Sequence, residues 1–178
     1  MRKKITILSI LAVIAFAIYR FAKKKGISLG RLTNKPPKLR LVYSRNVPEK
    51  DRIKVDGSYK VVQLFRELWS SQMDIREEFY VLLLDRANHV LGYHVLSQGG
   101  TAATVVDPKI LFGLALESLA SSIIVAHNHP SGNLKPSQQD INLTKRLKES
   151  GRTLDINVLD HIIITKEGYY SFADEMQL

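Results

Sequence analysis

His127-Asn128-His129-Pro130, followed by Ser137 and Asp140, brings two imidazoles and a carboxylate into one short stretch of chain. Two histidines at i and i+2 on an extended strand face the same way, about 6–7 Å apart along the backbone. That spacing lets both converge on one divalent ion with Zn–N bonds of about 2.0–2.1 Å. Asp140, from a separate element, supplies a third ligand. Three protein ligands plus one open position is the pattern of catalytic rather than structural zinc, and its chemistry is hydrolysis by an acidified water.

The same letters have plainer uses. Ser137-Gln138-Gln139-Asp140 after Pro136 is a capping-box pattern that opens a helix. His127 and His129 could serve simply as loop residues before Pro130. The two uses are compatible: a cap fixes where the helix starts, and Asp140 in its first turn then faces the loop. A contiguous His-Asn-His is weak evidence for an HNH nuclease, whose letters are dispersed along the chain.

Hydrolysis needs a base to take the proton of the attacking water and deliver it to the leaving group. Glu77 and Glu78, at the start of a strand reading Glu-Phe-Tyr-Val-Leu-Leu-Leu, are the candidates, and alternation turns only one of them inward. Ser137, within a turn of the metal ligands, is a candidate hydrogen-bond donor to the developing oxyanion. Asp160-His161 reads as a supporting or structural pair rather than as ligands, and His89 and His94 as surface residues of a hairpin.

The positioning elements follow from periodicity. Apolar positions 61, 64, 65, 68 and 69 give a helix over residues 59–72, and residues 78–84 a buried strand turning at Ala87-Asn88 into a partner over 89–97. Residues 103–106 read as a short strand. Asp107-Pro108 caps a helix to about residue 121. Residues 122–126 form an apolar strand that carries the two histidines at its C-terminal end. A helix over 137–150 stops at Gly151. A closing hairpin over 155–165 and 169–172 turns about Glu167-Gly168. The class is α/β or α+β with a mixed sheet.

The chain has 178 residues and no cysteine, which excludes disulfide frameworks, Cys-type zinc sites and cysteine nucleophiles. The net charge of +9 is uneven: residues 1–54 hold 15 of the 26 Lys+Arg and only two of the 17 Asp+Glu. The remainder is therefore acidic, with 11 basic and 15 acidic residues.

Residues 1–25 form an apolar segment with basic flanks, residues 26–56 a basic linker with one short strand at 39–43, and residues 57–178 the domain. The uncharged run at residues 5–19 is short of the roughly 20 residues that span a bilayer, but flanking cations could snorkel. An anchor over residues 5–22 would leave the domain in the cytoplasm by the positive-inside rule. Ala15-Phe16-Ala17 also fits a signal-peptidase site, and a soluble basic extension is the third reading.

His127-x-His129, seven intervening residues that begin with Pro130, then Ser137 and Asp140, match the metal signature of the JAMM (MPN-type) metalloprotease domain. Val125 to Asp140, with Leu159-Asp160-His161-Ile162-Ile163-Ile164, resembles its RadC-like branch, historically labelled DNA-repair proteins, over roughly residues 45–178. The resemblance implies a curved mixed β-sheet flanked by helices, with cytidine-deaminase-like layering. It also implies one Zn2+ on His127, His129 and Asp140, Glu77 as base and Ser137 as oxyanion helper. Relatives with established chemistry cut peptide or isopeptide bonds. The helix-hairpin-helix region that often precedes this domain in longer relatives is replaced here by the apolar and basic leader.

Two functions compete. One is a zinc-dependent hydrolase acting on a peptide or isopeptide substrate. The other is a nucleic-acid-associated protein using residues 20–54 as a basic arm, which could equally meet an anionic membrane surface. A metal-bearing scaffold without catalysis ranks last, because every residue the mechanism needs is present.

Overall fold

The structure is a computed structural model that describes residues 51–99 and 106–178, with Phe16, Ala17, Arg20, Phe21, Lys24, Val47 and Pro48. The expected strand at 39–43 and all but Val106 of the one at 103–106 lie outside the described residues, as do most of the proposed anchor over 5–22 and most of the basic arm. Among the described residues no helix is long and apolar enough to cross a membrane. The chain divides into units Met1–Arg40 and Leu41–Leu178, and the second carries the domain.

The elements run α1 (Ser58–Leu68), β1 (Glu78–Leu84), β2 (Val90–Gln98), α2 (Pro108–Glu117), β3 (Ser122–Asn128), α3 (Gln138–Thr153), β4 (Asn157–Ile164) and β5 (Tyr169–Ser171). The strands form one mixed sheet in the order β2-β1-β3-β4-β5. β3 and β4 are parallel, joined through α3, and the other neighbours are antiparallel.

Helices cover both faces of the sheet, which is why β1 and β3 are buried throughout rather than alternating. Tyr80, Leu82 and Leu84 of β1 pack with Ile124 and Ala126 of β3 against Val61, Val62 and Phe65 of α1. Phe79, Val81 and Leu83 pack with Ile123 and Val125 against Leu111, Phe112 and Ala115 of α2 and Leu147 of α3. Parity along a strand therefore decides the environment of each side chain.

Several boundaries differ from the sequence expectation. α1 ends at Leu68 because Trp69 turns to extended backbone (ψ 147). α2 ends at Glu117, and Leu119 beyond it is left-handed (φ 54). Gly151 does not stop α3, which continues to Thr153. Its smallness serves packing instead: a Cβ there would collide with the Ile156 carbonyl and crowd the Val158 side chain. The helix stops only where Asp155 turns left-handed (φ 55). The Asp107 cap behaves as read, accepting from Lys109 N at 2.9 Å.

Candidate metal centre

β3 ends in His127 and Asn128, and parity sends these two residues to opposite faces. His127 shares the face of Ile123 and Val125, beside its β1 partner Phe79. The two rings are stacked, 5.8 Å between centroids and 6° from parallel. His129 lies one residue past the strand and is held by its Nδ1, 2.6 Å from the Asn133 carbonyl. A carbonyl can only accept, so Nδ1 carries hydrogen and Nε2 is free to act as a ligand.

Asp140 arrives from the first turn of α3. The capping box is formed: Asp140 N donates to Ser137 Oγ at 3.2 Å and Ser137 N donates to Asp140 Oδ2 at 2.7 Å. His127 Nε2 lies 3.0 Å from His129 Nε2 and 3.2 Å from Asp140 Oδ1. His129 Nε2 lies 3.7 Å from Asp140 Oδ2. The cap that opens α3 thus also aims the carboxylate, and the three residues form a group that could hold a metal ion. The cluster sits beyond the carboxyl end of β3, where parallel α/β sheets place their ligands.

The donor set fits a divalent metal. Tetrahedral Zn–N bonds of about 2.0–2.1 Å put two ligand nitrogens about 3.3 Å apart, close to the 3.0 Å found. Lone pairs converging at this range repel unless a cation lies between them. Burial raises the Asp140 pKa, but the adjoining His127 and His129 imidazoles, with Ser137, prevail and hold it far below the usual carboxylate range. The hydrogen bond to Asp140 is the main cause that raises His129, against burial.

The structure separates the two glutamates. Glu78 is fully buried on the α1 face, where it accepts from Ser70 Oγ at 2.7 Å, Arg76 Nε at 3.2 Å and Gln98 Nε2 at 3.2 Å. It is a structural anchor. Glu77, of opposite parity, lies beside His127, His129 and Asp140. Burial raises its pKa, with the two histidines pulling it down and Asp140 pushing it up.

Ser137 donates its hydroxyl hydrogen to Asp140 Oδ2 at 2.7 Å. Asp160 and His161 point apart. Asp160 accepts from Ser171 Oγ at 2.6 Å and Ala173 N at 3.0 Å, holding β5. His161 lies against His127, its Nε2 2.9 Å from His127 Nδ1. Its complete burial keeps it neutral, well below its ordinary pKa. His89 pairs with Asp85 at 3.3 Å, and His94 is exposed.

Sequence reasoning missed Asn128. Its Nδ2 donates to the Met73 and Arg76 carbonyls at 2.6 and 2.8 Å, and its Oδ1 accepts from Glu78 N at 2.7 Å. The available signal was its parity, opposite to that of the histidine beside it on a strand buried on both faces.

A mixed sheet covered on both faces, with two histidines leaving a central strand and an aspartate from the following helix, defines a JAMM/MPN-type domain. A family model, the RadC-like JAB domain, matches residues 55–178, and the chain belongs to that family. It is 52% identical to a "UPF0758 protein" of Flavobacterium johnsoniae over 99 residues, 56% of this chain and 43% of the relative. A "UPF0758 protein" of Porphyromonas gingivalis is 37% identical over 134 residues, 74% of this chain and 59% of the relative. One from Thermotoga maritima is 37% identical over 132 residues, 74% and 56% respectively. The chain spans about half the length of the curated relatives it matches.

Proposed function

We propose that the chain is a zinc-dependent hydrolase of peptide or isopeptide bonds, with His127, His129 and Asp140 as ligands and Glu77 as general base. The observation that carries this reading is the convergence of two imidazole Nε2 atoms and one carboxylate beside a partly buried glutamate. Bound zinc would supply Lewis acidity, lowering the pKa of a water towards 7. Glu77 takes the water's proton as the nucleophile attacks the carbonyl and passes it to the leaving amine. Ser137 donates to the oxyanion by turning its O–H away from Asp140 Oδ2.

The test is zinc binding and hydrolysis by the full chain across a panel of peptide and isopeptide-linked substrates, with Glu77→Gln alongside. Retained zinc with lost hydrolysis supports the reading. Undiminished hydrolysis in the variant removes Glu77 as the base.

Residues 20–54 carry most of the chain's excess positive charge, and we assign them contact with an anionic membrane surface or nucleic acid, with the domain on the cytoplasmic side. Binding that is indifferent to salt contradicts this assignment.

A further inference from the structure

Four polar groups form one chain of hydrogen bonds behind the ligand cluster. Thr144, one turn along α3 from Asp140, donates its hydroxyl hydrogen to the Asp140 carbonyl at 2.6 Å. A carbonyl only accepts, and a hydroxyl has a single hydrogen to give. The Thr144 oxygen is therefore the acceptor towards His161 Nδ1, 2.6 Å away, and that nitrogen carries hydrogen. The neutral His161 ring then presents its Nε2 lone pair to His127 Nδ1 at 2.9 Å, which must be the donor. His127 Nε2 is left as a bare lone pair aimed at His129 and Asp140. One backbone carbonyl sets the direction of every bond in the chain.

The surroundings keep this arrangement in place. Thr144 and His161 are buried, at 2% and 0% exposure, so water does not compete for their hydrogen bonds. Phe172 stacks on His161, 5.0 Å between centroids and 8° from parallel, and Phe79 stacks on His127. The aromatic rings fix the imidazole planes but carry no information about which nitrogen bears hydrogen. That information comes only from Thr144.

We propose that Thr144 and His161 are positioning residues that lock His127 in its Nδ1–H tautomer, so that Nε2 is presented to a divalent cation. Asp140 thereby controls two ligand positions: its carboxylate is one ligand, and its carbonyl anchors the tautomer of another. A metal-ligating histidine is commonly oriented by a carboxylate or a carbonyl directly. Here the orientation is relayed through a second imidazole and a hydroxyl. The zinc-affinity readout below rests on the metal reading given above, whereas the tautomer readout does not.

The test uses the full chain, metal-free and labelled with 15N-histidine, and two-bond proton–nitrogen correlation spectra. Wild type is expected to show hydrogen-bearing Nδ1 and bare Nε2 on both His127 and His161. Thr144→Val keeps the shape but removes the hydroxyl. It is expected to mix the tautomers of both rings and to weaken zinc binding about 10- to 100-fold in a chelator competition. Thr144→Ser is expected to restore both, a rescue that loss of packing alone does not explain. A wild-type His127 with hydrogen on Nε2 and not on Nδ1 overturns the proposal. So does Thr144→Val with unchanged tautomers and unchanged zinc affinity. The expected wild-type tautomers without any zinc uptake support the lock and overturn the metal reading instead. Should Thr144→Val fail to fold, the wild-type and Thr144→Ser spectra decide the matter by themselves.

Discussion

The side-chain oxygen of Asn128 accepts the backbone N–H of Glu78 at 2.7 Å, across a sequence separation of 50 residues. With its amide hydrogens on Met73 and Arg76, Asn128 fixes backbone groups on both sides of Glu77. The residue between the two histidines therefore holds the candidate base while its neighbours hold the ligands. Truncating it removes the partner of one buried and two partly buried backbone groups, and a buried group left unpaired costs about 1–3 kcal/mol. Asn128→Ala is expected to lower unfolding stability by about 2–4 kcal/mol in urea titrations. Asn128→Asp, which cannot donate to either carbonyl, should be no better. Wild-type stability in both variants would remove the clamp from the account.

Glu77 and Glu78 should respond oppositely to the same chemical change. Glu77→Gln is expected to keep its metal and lose hydrolysis by about 10²- to 10⁴-fold. The raised pKa of Glu77 means that its ionised form is disfavoured by folding, so its cost is absent at low pH and grows as pH rises through the folded pKa. In the metal-free protein Glu77→Gln should therefore be at least as stable as wild type at neutral pH. Glu78→Gln should instead destabilise the fold, because Arg76 and Gln98 lose a buried charged partner. Parallel denaturation curves and rates separate the two, and the reverse pattern would exchange their roles.

Metal affinity should fall in acid. His129 holds a proton more tightly than an ordinary histidine, chiefly through its hydrogen bond to Asp140. Zinc must displace that proton. Its apparent affinity is expected to drop about tenfold per pH unit below the His129 pKa, which lies above the ordinary value of 6.5. Competition titrations at several pH values between about 5.5 and 8 check this. An affinity that stays flat across that window contradicts it.

Gly151 offers a test of the fold alone. Gly151→Ala forces a methyl into the Ile156 carbonyl and the Val158 side chain, where α3 meets the start of β4. Overpacking of this kind costs about 1–3 kcal/mol, and a shift of that size in the unfolding midpoint is expected. An unshifted or raised midpoint would show that Gly151 is there for another reason.

Much of the site was legible in the sequence because it rests on short-range rules. Two histidines at i and i+2, and an aspartate in a capping box, were set by local geometry, and the structure brings all three together. Strand alternation posed the choice between Glu77 and Glu78, although only the pairing of β1 with β3 shows which parity faces the histidines. Asn128 and Thr144 carry no local signal of these contacts, and His161 reads only as half of a supporting pair with Asp160, since their partners are 17 to 55 residues away. Gly151 was misread because glycine as a helix stop and glycine as a close-packing residue look alike in sequence. Only the position of Ile156 distinguishes them.

The most direct measurement is metal content of the purified full chain by elemental analysis, beside Asp140→Ala and the His127→Ala/His129→Ala pair. One zinc per chain in the wild type, lost in both variants while they remain folded, is the predicted result. A folded wild type that takes up no zinc at neutral pH would contradict the metal centre, leaving Asp140 a helix cap, His127 a buried polar residue and His129 a partly buried one.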